Sequence, residues 1–194
     1  FRGVTGVQTC ALPIWHISQF IEKRSLPWAL MGLFIGFTYS GVLVFIPIEL
    51  NSIGAGVWVS VFFALFALMI IISRPLVGKI YARYGSRFVI YPGIILFIMG
   101  LAILGIADTP VGIIGTAPLL GLGYGAAQPA FQALAVQSAP IERAGVSTAT
   151  YFLALDIAVG AGSIILAMIA NALGYQYLYQ ITALIMVVAL GLYH

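Results

Sequence analysis

Long apolar blocks alternate with short polar gaps along most of this chain. Crossing roughly 30 Å of hydrocarbon takes about 20 helical residues, and six apolar blocks approach that length. The pattern therefore predicts an all-α polytopic membrane protein with six transmembrane helices. The predicted spans are 27–48, 57–73, 88–107, 111–137, 145–170 and 177–193.

Basic residues occupy only some of the polar gaps. From residue 15 onward they lie before the first span, in the long gap 74–87 after the second, and in the gap 138–143 after the fourth. Positive residues in short loops stay cytoplasmic, so this alternation also supports six spans. It predicts a multi-pass protein of the cytoplasmic (plasma) membrane with both chain ends in the cytoplasm. The residues concerned are Lys23, Arg24, Arg74, Lys79, Arg83, Arg87 and Arg143.

Composition agrees with a lipid-facing exterior. Of 194 residues, 62% are hydrophobic and 7% are charged, and the mean hydropathy is +1.13. A soluble domain carries about 25% charged residues and needs polar side chains to cover its outside. The net charge of +3 does not form a basic patch interleaved with aromatics, so we expect the lipid bilayer as a partner and no nucleic acid.

The first 14 residues do not resemble natural protein sequence. Residues 4–14 read like the translation of a common sequencing adapter, and we interpret 1–14 as an artefact. Cys10, the only cysteine, falls within it, so we expect neither disulfides nor a cysteine nucleophile. The last span ends with the chain and has no charged flank, which we interpret as truncation.

Two kinds of residue recur at helical spacing in the fourth span. Gly121 and Gly125 are four residues apart, which predicts close packing against another helix. A second series on the same helix is polar: Tyr124, Gln128 and Gln132. Polar groups in hydrocarbon need partners or water, so these side chains either line a hydrated cavity or bond to neighbouring helices. Pro129 is expected to loosen the helix there.

Asp156 is the only ionisable residue that the predicted boundaries place deep within a span. A carboxylate at that depth is costly, and such residues usually face the bundle interior and mark ion or proton pathways. The alternative is a structural Asp that is hydrogen-bonded to a neighbouring helix. Glu49 and Asp108 fall at helix ends, where we expect solvated carboxylates without a role.

The sequence lacks the common signatures of enzymes and of metal or cofactor sites. H-E-x-x-H, G-x-S-x-G and a pair of intramembrane aspartates do not occur. The pair Gly78-Lys79 is followed by Ile80 where a P-loop has Ser or Thr. We therefore expect a protein that is not an enzyme and that holds neither a metal nor a cofactor.

The gap 74–87 contains a sequence that resembles the loop motif G-x-x-x-D-R-x-G-R-R of the major facilitator superfamily. The matching positions are Gly78, Arg83, Gly85 and Arg87. Ala82 and Ser86 depart from the motif, as is usual in its weaker second copy. Further similarity to helices ten and eleven of bacterial efflux members lies in the Gly-rich fourth span, the turn 140–145 and the fifth span, so the resemblance covers 15–194.

The resemblance implies the C-terminal half of such a transporter. Residues 15–26 would end the central cytoplasmic loop, 27–194 would form helices seven to twelve, and the missing N-terminal half would be a partner. The two halves would expose a central site alternately to each side of the membrane. Arg83 and Arg87 would stabilise the closed state; alternatively, they only set the orientation of the chain.

The function implied is proton-coupled export of small organic molecules, with protons and substrate as ligands. The residues expected to line this half of the cavity are Tyr39, Tyr124, Gln128, Gln132, Tyr151 and Asp156. An importer of sugars or organic acids is an alternative, although an anion carrier is less attractive because no Arg or Lys falls within a predicted span. A six-helix membrane scaffold with a structural Asp156 also stays open.

Overall fold

A computed structural model of the protein describes residues 21–194. The predicted artefact 1–14 with Cys10, and residues 15–20 of the predicted loop end 15–26, lie outside the described residues. Within 21–194, the regular structure is helical throughout, and six helical segments are long and apolar enough to cross a membrane. The predicted all-α fold with six transmembrane helices, one half of a major facilitator fold, is confirmed.

The first span is built from several consecutive segments. A 3₁₀ turn, Lys23–Ser25, leads into α1 (Leu26–Ser40), a π-helical segment (Gly41–Phe45) and α2 (Ile46–Ser52). The remaining spans are α3 (Val57–Tyr84), α4 (Arg87–Leu104), α5 (Pro110–Ser138), α6 (Ala144–Leu173) and α7 (Tyr175–Tyr193).

The π-helical segment was not predicted from the sequence. It ends two residues before Pro47, which has no backbone N–H to donate to the carbonyl of Leu43. Single π turns inside α-helices accommodate such an interruption and often occur at functional sites.

The predicted polar connection 74–87 is wrong in extent. Helix α3 continues through Pro75 to Tyr84, and only Gly85 and Ser86 separate it from α4. Gly85 has φ of 89°, a left-handed value that a residue with a Cβ rarely adopts. Consequently Gly78 and Arg83 lie in a helix rather than in a loop. The sequence pattern predicted a loop here because these residues include several basic side chains. Basic side chains are equally compatible with the end of a helix that extends beyond the hydrocarbon.

Helix α5 occupies the centre of the bundle. It packs against α1, α3, α4 and α6. A Cβ on Gly121 would lie 2.5 Å from the carbonyl oxygen of Phe66 in α3, and a Cβ on Gly125 would clash with Ser73 in the same helix. The predicted packing face of Gly121 and Gly125 is therefore confirmed, with α3 as the neighbour.

Two helices remain largely uncovered. In an 18-residue apolar stretch of α3, only 17% is buried, and in the corresponding stretch of the α6 span 22% is buried. The buried share in the first span is 61%. Helix α3 packs mainly on α5, and α6 mainly on α1. The two helices thus flank α1 and α5 on an open side of the bundle.

The two ends of the bundle differ in charge. At one end, Glu22 bonds to Arg143 across 2.6 Å, and Tyr81 of α3 donates a hydrogen bond to Gln137 of α5. Within 21–194, the basic residues other than Arg74 are at or near this end, which we call the basic end. Glu49 and Asp108 lie at the opposite end, where they bond to residues of α7.

Candidate functional site

Asp156 lies on an exposed side of α6. It is 12 residues from the start of the helix, or about 18 Å along the axis at 1.5 Å per residue. A carboxylate at that depth is costly in contact with lipid, so this side of α6 requires water or another protein surface. The geometry fits a hydrated pathway and leaves a structural role open.

Two tyrosines stack where α1 and α5 meet. The ring centroids of Tyr39 and Tyr124 are 4.3 Å apart with 20° between the ring planes, and Phe66 of α3 lies 6.1 Å from Tyr124. Offset stacking of this kind favours a fixed arrangement of the rings. The Tyr124 hydroxyl is within electrostatic range of Asp156 and Arg74. Side chains from four helices therefore converge around Tyr124.

The glutamines of α5 follow Tyr124 along the same side of the helix. Gln128 and Gln132 are both half-buried. Their amides continue the polar series from Tyr124 toward the basic end. The spacing predicted from the sequence therefore matches the helical geometry, and the choice between cavity wall and interhelical bonding stays open.

Tyr151 does not lie on the open side, and its predicted place in the cavity wall is wrong. The side chain is fully buried, its ring packs on Gly32 of α1, and its hydroxyl donates to the backbone carbonyl of Gln128 over 3.0 Å. Tyr151 and Asp156 are five residues apart, which corresponds to about 140° around a helix. The two side chains therefore point in very different directions, and Tyr151 joins α6 to α5 instead.

The motif residues are at the basic end. Arg83 and Arg87 are exposed, and the Arg83 guanidinium lies 5.3 Å from the centre of the Tyr84 ring. Gly78 is open to its surroundings, because a Cβ there would meet nothing within 4 Å. The positions agree with either role that the sequence left open for the arginines.

Arg74 was predicted to lie in a loop, but it belongs to α3. It precedes the end of that helix by 10 residues, or about 15 Å. The expectation that the spans contain no Arg or Lys is therefore wrong, and with it one argument against an anionic substrate. Arg74 is exposed, and its positive charge and the negative charge of Asp156 both act on the Tyr124 hydroxyl.

Glu49 was expected to be solvated, and it is instead buried. The hydroxyl of Tyr179 in α7 donates a hydrogen bond of 2.9 Å to its carboxylate. The two residues are separated by 130 positions in the chain, so the sequence contained no signal of this pairing. The side chain of Asp108 accepts a hydrogen bond from Gln176 nearby.

The described part of the chain shows no metal-binding site. Among residues 21–194, no group of three His, Cys, Asp or Glu side chains is placed to hold a metal ion. The polar side chains that converge on the open side are suited to hydrogen bonding and charge pairing.

Comparison with known proteins supports a transport family. A family model described as Major Facilitator Superfamily matches residues 7–163. The chain is also similar to Multidrug resistance protein 3 of Bacillus subtilis (strain 168), with 23% identity over 168 residues. The alignment covers 82% of this chain and 32% of the Bacillus protein, so the chain spans about a third of that relative's length.

Proposed function

Because the chain belongs to the Major Facilitator Superfamily, we propose that it supplies one half of a proton-coupled exporter of small organic molecules. The family is one of transporters, and the six apolar helices make this chain a multi-pass membrane protein. Similarity to a protein named for multidrug resistance favours export over import.

The observation that carries the proposal is the exposed carboxylate of Asp156 on α6. In this position Asp156 takes up a proton from one side of the membrane and releases it to the other as access to the cavity alternates. The Tyr124 hydroxyl, within electrostatic range, responds to the charge of that carboxylate. Proton uptake and substrate release thereby become linked.

The aromatic stack forms the apolar part of the proposed site. Tyr39 and Tyr124 present flat faces beside polar groups, as in most small-molecule sites, where a mainly apolar wall carries a few polar groups. Gln128 and Gln132 supply hydrogen bonds farther along α5. An amphipathic organic molecule satisfies both parts of this surface.

A second six-helix half is the proposed partner on the open side. The exposed sides of α3 and α6 carry Arg74 and Asp156, which lipid alone solvates poorly. Rocking of the two halves about the site gives alternating access. The basic end then lies on the cytoplasmic side of the plasma membrane.

The test is proton flux driven by substrate in inverted vesicles that contain the full-length transporter. An amphipathic dye is added, and the internal pH is followed by fluorescence. Asp156→Asn is expected to reduce dye-dependent proton flux to the level of vesicles without protein, because the amide cannot exchange a proton. Glu142→Gln removes an exposed carboxylate in the α5–α6 turn and serves as the control, with flux unchanged.

Undiminished flux in Asp156→Asn would end the proposal of proton coupling at this residue. The alternatives give different patterns. An importer of sugars or organic acids drives uptake into right-side-out vesicles, and a scaffold gives no substrate-dependent flux in either orientation.

A further inference from the structure

Arg74 is a cation in an unusual place. It lies about 15 Å inside the end of α3, at a depth similar to that of Asp156 in α6, and its side chain is exposed. Guanidinium groups inside spans usually face a cavity and pair with an anion. Within 21–194, Arg74 has no carboxylate within salt-bridge distance; the ion pair found there joins Arg143 to Glu22.

A groove opens beside Arg74 between α3 and α5. Its volume is about 320 Å³, within the range of sites for small organic ligands. The space exists because most of the residues that line the groove beside Arg74 are small. They include Gly78, Ala82, Pro129 and Ala133. The groove is therefore apolar along its walls and carries a single fixed positive charge from its lining residues.

Among the lining residues, the other polar side chain is that of Tyr81, which carries no charge. Its hydroxyl donates a hydrogen bond of 3.3 Å to the side chain of Gln137. A guanidinium offers five donors in a planar arrangement that matches a carboxylate or sulfonate. Charge complementarity consequently favours an organic anion over a cation as the occupant.

We propose that the groove between α3 and α5 binds the anionic group of a small organic substrate through Arg74. This inference rests on the proposed transport function and specifies the substrate class: molecules with an apolar body and a carboxylate or sulfonate. Asp156, on the exposed side of α6, then faces the proton or a positive group of the same molecule.

The test measures charge selectivity in the groove by cysteine labelling of the full-length transporter in membranes. In a background without other cysteines, Ala133→Cys places a thiol in the groove. Two water-soluble methanethiosulfonate reagents of similar size are compared, one with a sulfonate and one with a trimethylammonium group. Ile95→Cys, on the exposed apolar side of α4, is the lipid-facing control and is expected to remain unlabelled.

Arg74 is expected to attract the sulfonate reagent and repel the ammonium reagent. Arg74→Gln should slow the sulfonate reagent roughly fivefold, the effect of one unit charge at about 4 Å in water, and Arg74→Lys should restore its rate. Lys79→Gln makes the same charge change in α3 outside the lining of the groove, and its rate ratio should equal that of the parent.

A protection assay then tests binding. Benzoate and the neutral, equally shaped benzamide are added before labelling. Benzoate should protect Ala133→Cys when Arg74 is present and should lose this effect in Arg74→Gln, whereas benzamide should protect in neither.

Three results would overturn the proposal: a groove cysteine that the reagents do not reach, a rate ratio independent of Arg74, or equal protection by benzoate and benzamide. The first is expected if a carboxylate of another segment fills the groove. None of these readouts depends on proton flux, so they leave the proposed transport function standing. Conversely, Asp156→Asn can abolish coupling without changing the labelling ratio.

Discussion

At the scale of single residues, burial separates side chains that look equivalent in sequence. Tyr124 and Tyr151 are both tyrosines in apolar spans, yet Tyr124 borders the open side and Tyr151 is fully buried with its hydroxyl on a backbone carbonyl. Glu49 and Asp108 are both carboxylates at the same end of the bundle. Only Glu49 is buried, and its oxygen accepts the Tyr179 hydroxyl.

The Glu49–Tyr179 bond should contribute measurably to stability. Tyr179→Phe leaves a buried carboxyl group without its donor, and we expect a loss of about 1 to 2 kcal/mol in the free energy of unfolding. Tyr177→Phe removes an exposed hydroxyl from the same helix and should change little. Thermal unfolding in detergent compares the two.

A double-mutant cycle with Glu49→Gln identifies the partner. If the carboxylate and hydroxyl interact, the effect of Tyr179→Phe should differ between the parent and the Glu49→Gln background. Additive effects would mean that the tyrosine stabilises the helix pair by packing alone.

At the scale of elements, the glycines of α5 determine how closely its neighbours approach. A Cβ on Gly121 would lie 2.5 Å from the backbone of α3, and one on Gly123 would lie 2.5 Å from the Phe97 nitrogen of α4. Backbone atoms cannot move aside as a flexible side chain can. Small residues at these sites therefore hold three helices together without a hydrophobic driving force between them.

Alanine in place of Gly121 or Gly123 should push α5 away from α3 or α4, respectively. Gly121→Ala and Gly123→Ala are each expected to cost about 1 to 3 kcal/mol of stability, as overpacked cores do. Gly115→Ala lies in the same helix with nothing within 4 Å of the added Cβ. It should be neutral or stabilising by up to about 1 kcal/mol, because alanine favours helix. Unfolding midpoints in detergent give all three values, and equal losses would contradict the packing argument.

At the scale of the whole molecule, charge is distributed between two ends and an open side. Lys23, Arg24, Lys79, Arg83, Arg87 and Arg143 mark the basic end. The Glu22–Arg143 ion pair and the hydroxyl pair Ser25–Ser147, 2.7 Å apart, fasten the start of the first span to α6 there. The opposite charges of Arg74 and Asp156 remain on the open side, as expected of a surface that meets water or a second half.

The orientation of the bundle can be tested with reporter fusions. Green fluorescent protein fused after His194 should fluoresce, and alkaline phosphatase at the same place should be inactive, because the basic end is expected in the cytoplasm. Fusion after Asp108, in the turn between α4 and α5, should give the reverse. Active phosphatase after His194 would place that end outside.

Much of the fold was predictable because lipid imposes simple rules on sequence. A span needs about 20 apolar residues with every backbone group bonded inside the helix, so six apolar blocks determined six helices. Spacing along one helix also predicted that Gly121 and Gly125 pack together on a neighbour, and that Tyr124, Gln128 and Gln132 share a side. These features depend on local sequence and on helical geometry alone.

Other features depended on which helices meet, and only the tertiary structure decided them. The sequence could not show that Tyr151 points into the α1–α5 contact, that Glu49 bonds to Tyr179, or that α3 continues past Arg74 and places its charge beside Tyr124. The apolar pattern is nearly uniform around each span, since lipid and protein neighbours both favour apolar side chains. Hydrophobicity therefore determined where the chain crosses the membrane, whereas close packing between helices decided which polar side chains are buried and which face the open side.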